Sequence, residues 1–414
     1  MIKYHRTKYT TKKFTCQEKI ETRKDINMKI ERLGDAKVIM RNSDSIHNYF
    51  AWPSAAKLQD GRIAVVASGY RLAHVCPFGK TVISYSDDEG ETFSPPAPII
   101  DTPLDNRDGG VNAFGERGVV VSSLSLSLEF VEDTLKSDLE HKANQAEYSM
   151  GYINSVSPET RKKYDWNFFR ISNDMGRSFG PLHKIPASSP HGPVGLKDGK
   201  LLWVGRLRPS KEIGCEKEEG ICTFIINPED GSYEMRGKIP KPKGNDLYFP
   251  CEPHAIELDD GRYLCHFRVQ VKNGDVFTTF QSISEDGGYT WSEPEMILSL
   301  RGGAPAQIMK HSSGVLISSY GERMAPYGVK AMFSYDNGKT WDTDNWVYIH
   351  TLKPTDEERL KAMQDCSLIS GVHGDIGYPS TVELDDGSLL TVFYAHLDRT
   401  APAEIFAQKW RFEK

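Results

Sequence analysis

The chain has 414 residues, 38% of them hydrophobic and 26% charged, which excludes a disordered or fibrous polypeptide and supplies enough apolar residues for a sizeable core. A formal net charge of −6, with no basic patch in the main body, excludes a surface built to neutralise nucleic-acid phosphates. No apolar run reaches signal-peptide or membrane-spanning length, and the seven cysteines (16, 76, 215, 222, 251, 265 and 366) are scattered without zinc-site spacing, so reduced thiols in a cytoplasmic protein lacking metal and cofactor are expected.

In chain order, residues 1–27 are basic and lack apolar periodicity, and they read as a poorly ordered extension, with Met28 offering an alternative start. Residues 28–414 then read as a single domain built of repeated units. Short apolar strands broken by a polar turn recur six times: "AAKLQDGRIAVVAS" from Ala55, "VNAFGERGVVVSS" from Val111, "GPVGLKDGKLLWVG" from Gly192, "HAIELDDGRYLCHF" from His254, "AQIMKHSSGVLISS" from Ala306 and "STVELDDGSLLTVF" from Ser380. Asp-Gly and Ser-Gly tips between aliphatic and β-branched residues are hairpin signals. Spacings this long, each with room for four short strands, predict an all-β protein, a propeller of six blades, with the terminal "EIFAQKWRF" helping to close the ring.

A second motif, Ser-x-Asp-x-Gly-x-Thr/Ser-aromatic, occurs as "SDDEGETF" from Ser86, "SNDMGRSF" from Ser172, "SEDGGYTW" from Ser284 and "SYDNGKTW" from Ser334. Its Asp can accept from backbone N–H groups, its Gly supplies a positive φ, and its aromatic is expected to tuck under the loop as the next strand begins. These residues read as structural, not chemical. Two segments have helical texture and read as surface insertions: "LEFVEDTLKSDLEHKANQAEYSMGYINSVSPETRKKY" from Leu128 and "KPTDEERLKAMQDC" from Lys353.

Four such boxes on six blades resemble the sialidase (neuraminidase) superfamily of Asp-box propellers. What the resemblance implies can be placed residue by residue. A Glu opening the fourth header and an Arg closing the same hairpin are matched by Glu252 and Arg268, the Arg between the fifth header and its box by Arg323, and the nucleophilic Tyr beginning the sixth header by Tyr378. The chemistry has a reason: an anomeric centre bearing a carboxylate repels a carboxylate nucleophile, and a phenol activated by a neighbouring Glu replaces it. Glu252 would then take the proton of Tyr378, and Arg268 and Arg323 would hold a substrate carboxylate through forked hydrogen bonds.

The pattern departs from the family in the first blade. Where the family carries Arg-Ile-Pro the chain has Ala51-Trp52-Pro53, and no Asp or Glu lies between Tyr70 and Ser86, where the family places its acid/base Asp. Arg71 is the candidate to substitute for the lost clamp, His74 and Asp108 are the candidates for proton donor, and Trp52 is expected to form an apolar wall. His191, His254, His373 and Asp375 fall at or ahead of header starts and read as pocket lining. The expected function is a sialidase-like exo-glycosidase removing a terminal acidic sugar from a glycan, with poor activity on ordinary sialosides. A lyase or hydrolase for uronic-acid or rhamnose caps, and a catalytically silent carbohydrate-binding propeller, are the alternatives. A glycan is the expected partner, and neither nucleic acid nor membrane is.

Overall fold

A computed structural model describes residues 29–137, 143–208, 219–244, 246–271, 277–298, 303, 305–323, 327–351, 376–396 and 402–413. The six headers fold into the two innermost strands of six antiparallel sheets, and the sheets follow one another around a ring as the blades of a propeller. Blade 1 is Tyr49–Lys57, Ile63–Arg71, Lys80–Ser86 and Ala97–Ile100; blade 2 is Asp105–Phe114, Gly118–Leu126, Asn167–Ser172 and His183–Ile185. Blade 4 is Tyr248–Glu257, Tyr263–Val271, Phe277–Ser284 and Glu295–Met296, and blade 5 is Ala306–Lys310, Leu316–Glu322, Gly328–Ser334 and Asp342–Thr351.

Blades 3 and 6 depart from this plan for local reasons. In blade 3 the inner strand is split into Ala187–Ser188 and Val194–Gly195, because Pro190 and Pro193 between them cannot donate to the Leu201–Leu207 ladder. In blade 6, Ile376–Glu383, Leu389–His396 and Ala403–Glu413 are completed by Lys29–Arg32 and Lys37–Met40, both paired with Ala403–Glu413. The expected closing segment is there, and its partners are the first two described strands. Residues 1–28 and the segment beginning at Lys353 lie outside the described residues.

The core is distributed. Six clusters of buried apolar side chains lie one at each blade junction, so each blade is held by its two neighbours. A smaller cluster seats the insertion from Leu128, which forms helices Leu128–Ser137, Ala143–Ser155 and Pro158–Tyr164 between the second and third strands of blade 2.

The four Ser-x-Asp-x-Gly motifs turn the third strand of blades 1, 2, 4 and 5 into the fourth. In blade 1, Asp88 accepts from Thr92 N–H (2.9 Å) and Thr92 Oγ1 (2.6 Å), and these hydrogen bonds hold its carboxyl down at about 2. Gly90 takes φ +81°, and Gly176, Gly288 and Gly338 take φ +77°, +89° and +81° at equivalent places. The aromatic does not simply tuck under its own loop. Trp291 donates its indole N–H to Thr223 of blade 3 and Trp341 to Gln281 of blade 4, so each box rivets its blade to the one before. Trp341→Phe removes the indole donor and leaves the buried Gln281 oxygen with His266 as its remaining partner, and it is expected to lower unfolding free energy by about 1 kcal/mol. Denaturant unfolding measures this, with the midpoint falling and the glycoside preference unchanged.

Candidate active site

One backbone device recurs on the inner strands. Trp52, Asp108, Glu252 and Tyr378 all have φ near +50°, and each lies where the ladder of its first strand shifts register. A bulge of this kind re-aims one side chain off the pleat, and a non-Gly residue held in the left-handed region is a strained arrangement found chiefly where function requires it. Blades 1, 2, 4 and 6 thus each project one residue from the same structural position. The sequence carries a trace of this: Trp52-Pro53, Glu252-Pro253 and Tyr378-Pro379 stand the same distance ahead of Gly61, Gly261 and Gly387.

Two of these residues meet. The Tyr378 hydroxyl donates to Glu252 Oε1 at 2.7 Å. Arg268, paired across the blade 4 hairpin with Cys251, donates from one terminal nitrogen to both Glu252 oxygens at 3.0 and 2.9 Å and from the other to Gln270 Oε1. The Arg268 Nε is buried without a partner. Arg323 donates to the Ile376 carbonyl and to the Tyr394 hydroxyl, with its guanidinium 5.6 Å from the Tyr378 ring centre. Glu252, Arg268, Arg323 and Tyr378 are therefore brought together from blades 4, 5 and 6.

The electrostatics are coupled. Burial works to raise the Glu252 carboxyl, but the Arg268 charge, the Tyr378 hydrogen bond and Arg323 outweigh it and leave the group below its usual range. Burial, with the Glu252 and Asp108 carboxylates nearby, pushes the Tyr378 phenol well above its ordinary value, so it rests protonated. Asp108 is raised chiefly by burial, against the opposing pull of Arg107 and with a contribution from Glu252. It is the carboxyl of this cluster most inclined to keep a proton.

The blade 1 side is aromatic. Trp52 is fully buried, with the rings of Tyr49, His74, Tyr378 and Tyr394 around it at 5.0 to 6.4 Å. The Arg107 guanidinium lies 3.7 Å over its ring and donates to the His74 carbonyl. Reading the sequence did not single out Arg107, because nothing in "DNRDGGV" shows that it will lie on a tryptophan of another blade. Ala51, taken from the sequence as the vacant clamp position, is enclosed in the blade 6–blade 1 core; Trp52 holds the projecting position.

Arg71 is corrected in the same way. Its guanidinium is wholly buried and grips both Asp105 oxygens while donating to Ser68 Oγ and to the Ala73 and His74 carbonyls. Gly79 makes room, since a Cβ there would lie 2.0 Å from the guanidinium and 2.2 Å from the Asp105 carboxylate. Arg71 props the loop carrying His74 and does not stand as a clamp. His74 shares a hydrogen bond with the Tyr49 hydroxyl and packs edge-on against Trp52.

His191 and His254 meet edge to face between blades 3 and 4 with ring centres 5.4 Å apart, and burial keeps both neutral, His254 at about 3. His254 accepts from the Ile308 N–H, which gives it a duty in the blade 4–blade 5 junction. His373 and Asp375 lie outside the described residues. Among the described residues no three His, Cys, Asp or Glu side chains converge as metal ligands, and no helix is long and apolar enough to cross a membrane.

No protein-family model matches the chain, and no curated protein matches it. Solved structures do. A protein of unknown function from Dyadobacter fermentans superposes with a TM-score of 0.67 at 17% identity, over 93% of this chain and 99% of the other. The NanB sialidase from Streptococcus pneumoniae, in complex with 2-[(3-chlorobenzyl)ammonio]ethanesulfonate, gives 0.58 at 14% identity, over 92% of this chain and 70% of the other. An α-L-arabinanase from Penicillium chrysogenum, complexed with arabinobiose, gives 0.53 at 12% identity, over 90% and 98%. The chain thus shares a propeller fold with sialidases and with a glycosidase of different specificity. Such a likeness concerns the fold, and function has to be argued from the site.

Proposed function

We propose that the chain is a sialidase-like exo-glycosidase that removes a terminal acidic sugar from a glycan by way of a covalent intermediate on Tyr378. The observation that carries this reading is the 2.7 Å hydrogen bond from the Tyr378 hydroxyl to Glu252, made by two strained residues from different blades. A structural tyrosine does not need a buried carboxylate and an αL backbone to be satisfied.

In the first step the phenolic oxygen bonds to the anomeric carbon and its proton passes to Glu252. The glycosidic carbon–oxygen bond breaks, and Asp108 gives its proton to the leaving oxygen. Water then reverses the sequence, with Asp108 now taking a proton from it and Glu252 returning one to the phenol. The resting electrostatics oppose the first transfer, because Arg268 holds Glu252 ionised and the phenol is raised. A substrate carboxylate competing for Arg268 and Arg323 draws the guanidinium away from Glu252 and raises its basicity where the proton must go. That is a physical reason for an acidic sugar, and Arg107 over Trp52 adds a cation on the side where the family's first clamp residue is absent.

The test is turnover against a panel of chromogenic sialosides, other acidic glycosides and rhamnosides, with a pH profile for the substrate turned over. An acidic glycoside is expected to lead the panel, with sialosides weak. Activity should fall on the acid side as Glu252 becomes protonated, at a pH below the ordinary carboxylate range. It should fall on the alkaline side as Asp108 loses its proton, above the ordinary aspartate value. Binding of acidic sugars with turnover of none contradicts the enzymatic reading and favours a carbohydrate-binding propeller.

A further inference from the structure

We propose that the cavity between blades 3 and 4 is a second sugar subsite, holding the residue on the aglycone side of the scissile bond, and that this sugar bears a carboxylate or sulfate. The inference rests on the exo-glycosidase reading and deepens it. The cavity encloses about 400 Å³, within the range of small-ligand sites. Arg206, Lys238, Lys241, Tyr248 and Phe249 line it, and among the described residues Glu219 is the one acidic member of the lining.

Three features give it this role. Phe249 and Pro250 belong to the strand that carries Glu252, so the cavity adjoins the site through a single rigid element. The Arg206 guanidinium carbon lies over the Phe249 ring, 4.3 Å from its centre, and no acidic side chain among the described residues pairs with it. A guanidinium stacked on an aromatic face is pre-oriented and keeps the donors along its edge for an anion. Its charge also reaches the Cys251 thiol, next to Glu252.

The third feature is direction. In a ring of six blades, blade 3 stands opposite blade 6, which supplies Tyr378. A nucleophile displaces its leaving group on the opposite side of the reacting carbon, so an aglycone expelled by Tyr378 departs toward blade 3. The Arg206 guanidinium there, held against Phe249, favours a negatively charged sugar over a neutral one.

The experiment is calorimetric or ligand-observed NMR binding of free glucuronate, glucose 6-sulfate and glucose to the full chain, to Arg206→Gln, to Arg206→Lys and to Arg268→Gln. Expected is binding of at least one acid, weakened by salt, with glucose markedly weaker. Arg206→Gln should weaken that binding about tenfold or more. Arg206→Lys should keep part of it, and Arg268→Gln, in which the same acids lose their hold on the catalytic site, should retain one acid-binding site of wild-type affinity that Arg206→Gln lacks. Whether glucuronate or the sulfate binds more tightly identifies the anion. Equal binding of glucose, a loss that follows Arg268 instead of Arg206, or binding of neither acid overturns the proposal. An unfolding midpoint for each variant separates lost contact from lost fold, and Arg206→Lys still decides the matter if Arg206→Gln unfolds. Because binding of a monosaccharide needs no turnover, an inactive chain can pass this test and an active one can fail it.

Discussion

Glu252→Gln is expected to lower kcat/KM on the acidic glycoside that the panel identifies by about 10²–10⁴-fold, the contribution of a positioned general base. Tyr378→Phe should lose at least as much. Both oxygens of Glu252 are already engaged, one with the Tyr378 hydroxyl and both with Arg268, so Gln preserves shape while removing the charge that accepts the proton. The two residues act as one unit, and combining the substitutions should cost little more than either alone. The measurement is a double-mutant cycle on kcat/KM, with unfolding midpoints as a control. Additive losses would mean that the hydroxyl and the carboxylate work independently.

Arg71→Met is expected to lower unfolding free energy by about 3–5 kcal/mol, the cost of leaving one member of a buried ion pair uncompensated. Arg71 and Asp105 are both wholly enclosed, and removing the guanidinium leaves the buried Asp105 carboxyl without its partner. Replacing both, as Arg71→Met with Asp105→Leu, should recover much of the loss, because two apolar side chains carry no desolvation penalty. The loop that Arg71 props bears the His74 carbonyl to which Arg107 also donates, so the single variant should weaken substrate binding as well. Denaturant unfolding of the single and double variants measures the first effect, and KM the second.

The architecture was legible because its signals are local. An Asp-Gly tip between two apolar runs sets a hairpin from a few residues, and four copies of one box leave few alternatives to a ring of blades. Glu252, Arg268, Arg323 and Tyr378 were legible because each keeps a fixed offset from a header or a box, and the blades carry those offsets to one place. What escaped the sequence depends on contacts between distant segments. Arg71 and Asp105 lie 34 residues apart, and only the folded loop shows that the arginine is already spent. Arg107 became visible only once the αL bulge had turned Trp52 under it. The box tryptophans were seen as staples of their own turns, whereas the blade they reach is the preceding one, which no turn motif specifies.

The most direct test of the central claim is to trap the intermediate. Incubating the chain with a fluorinated, activated analogue of the acidic glycoside slows breakdown of any glycosyl-enzyme. Intact-mass and peptide mass spectrometry then locate the added sugar. The account predicts one added glycosyl group per chain on Tyr378, absent from Tyr378→Phe and formed more slowly by Glu252→Gln. An adduct on Asp108 or Glu252, or undiminished turnover of the parent glycoside by Tyr378→Phe, would contradict it.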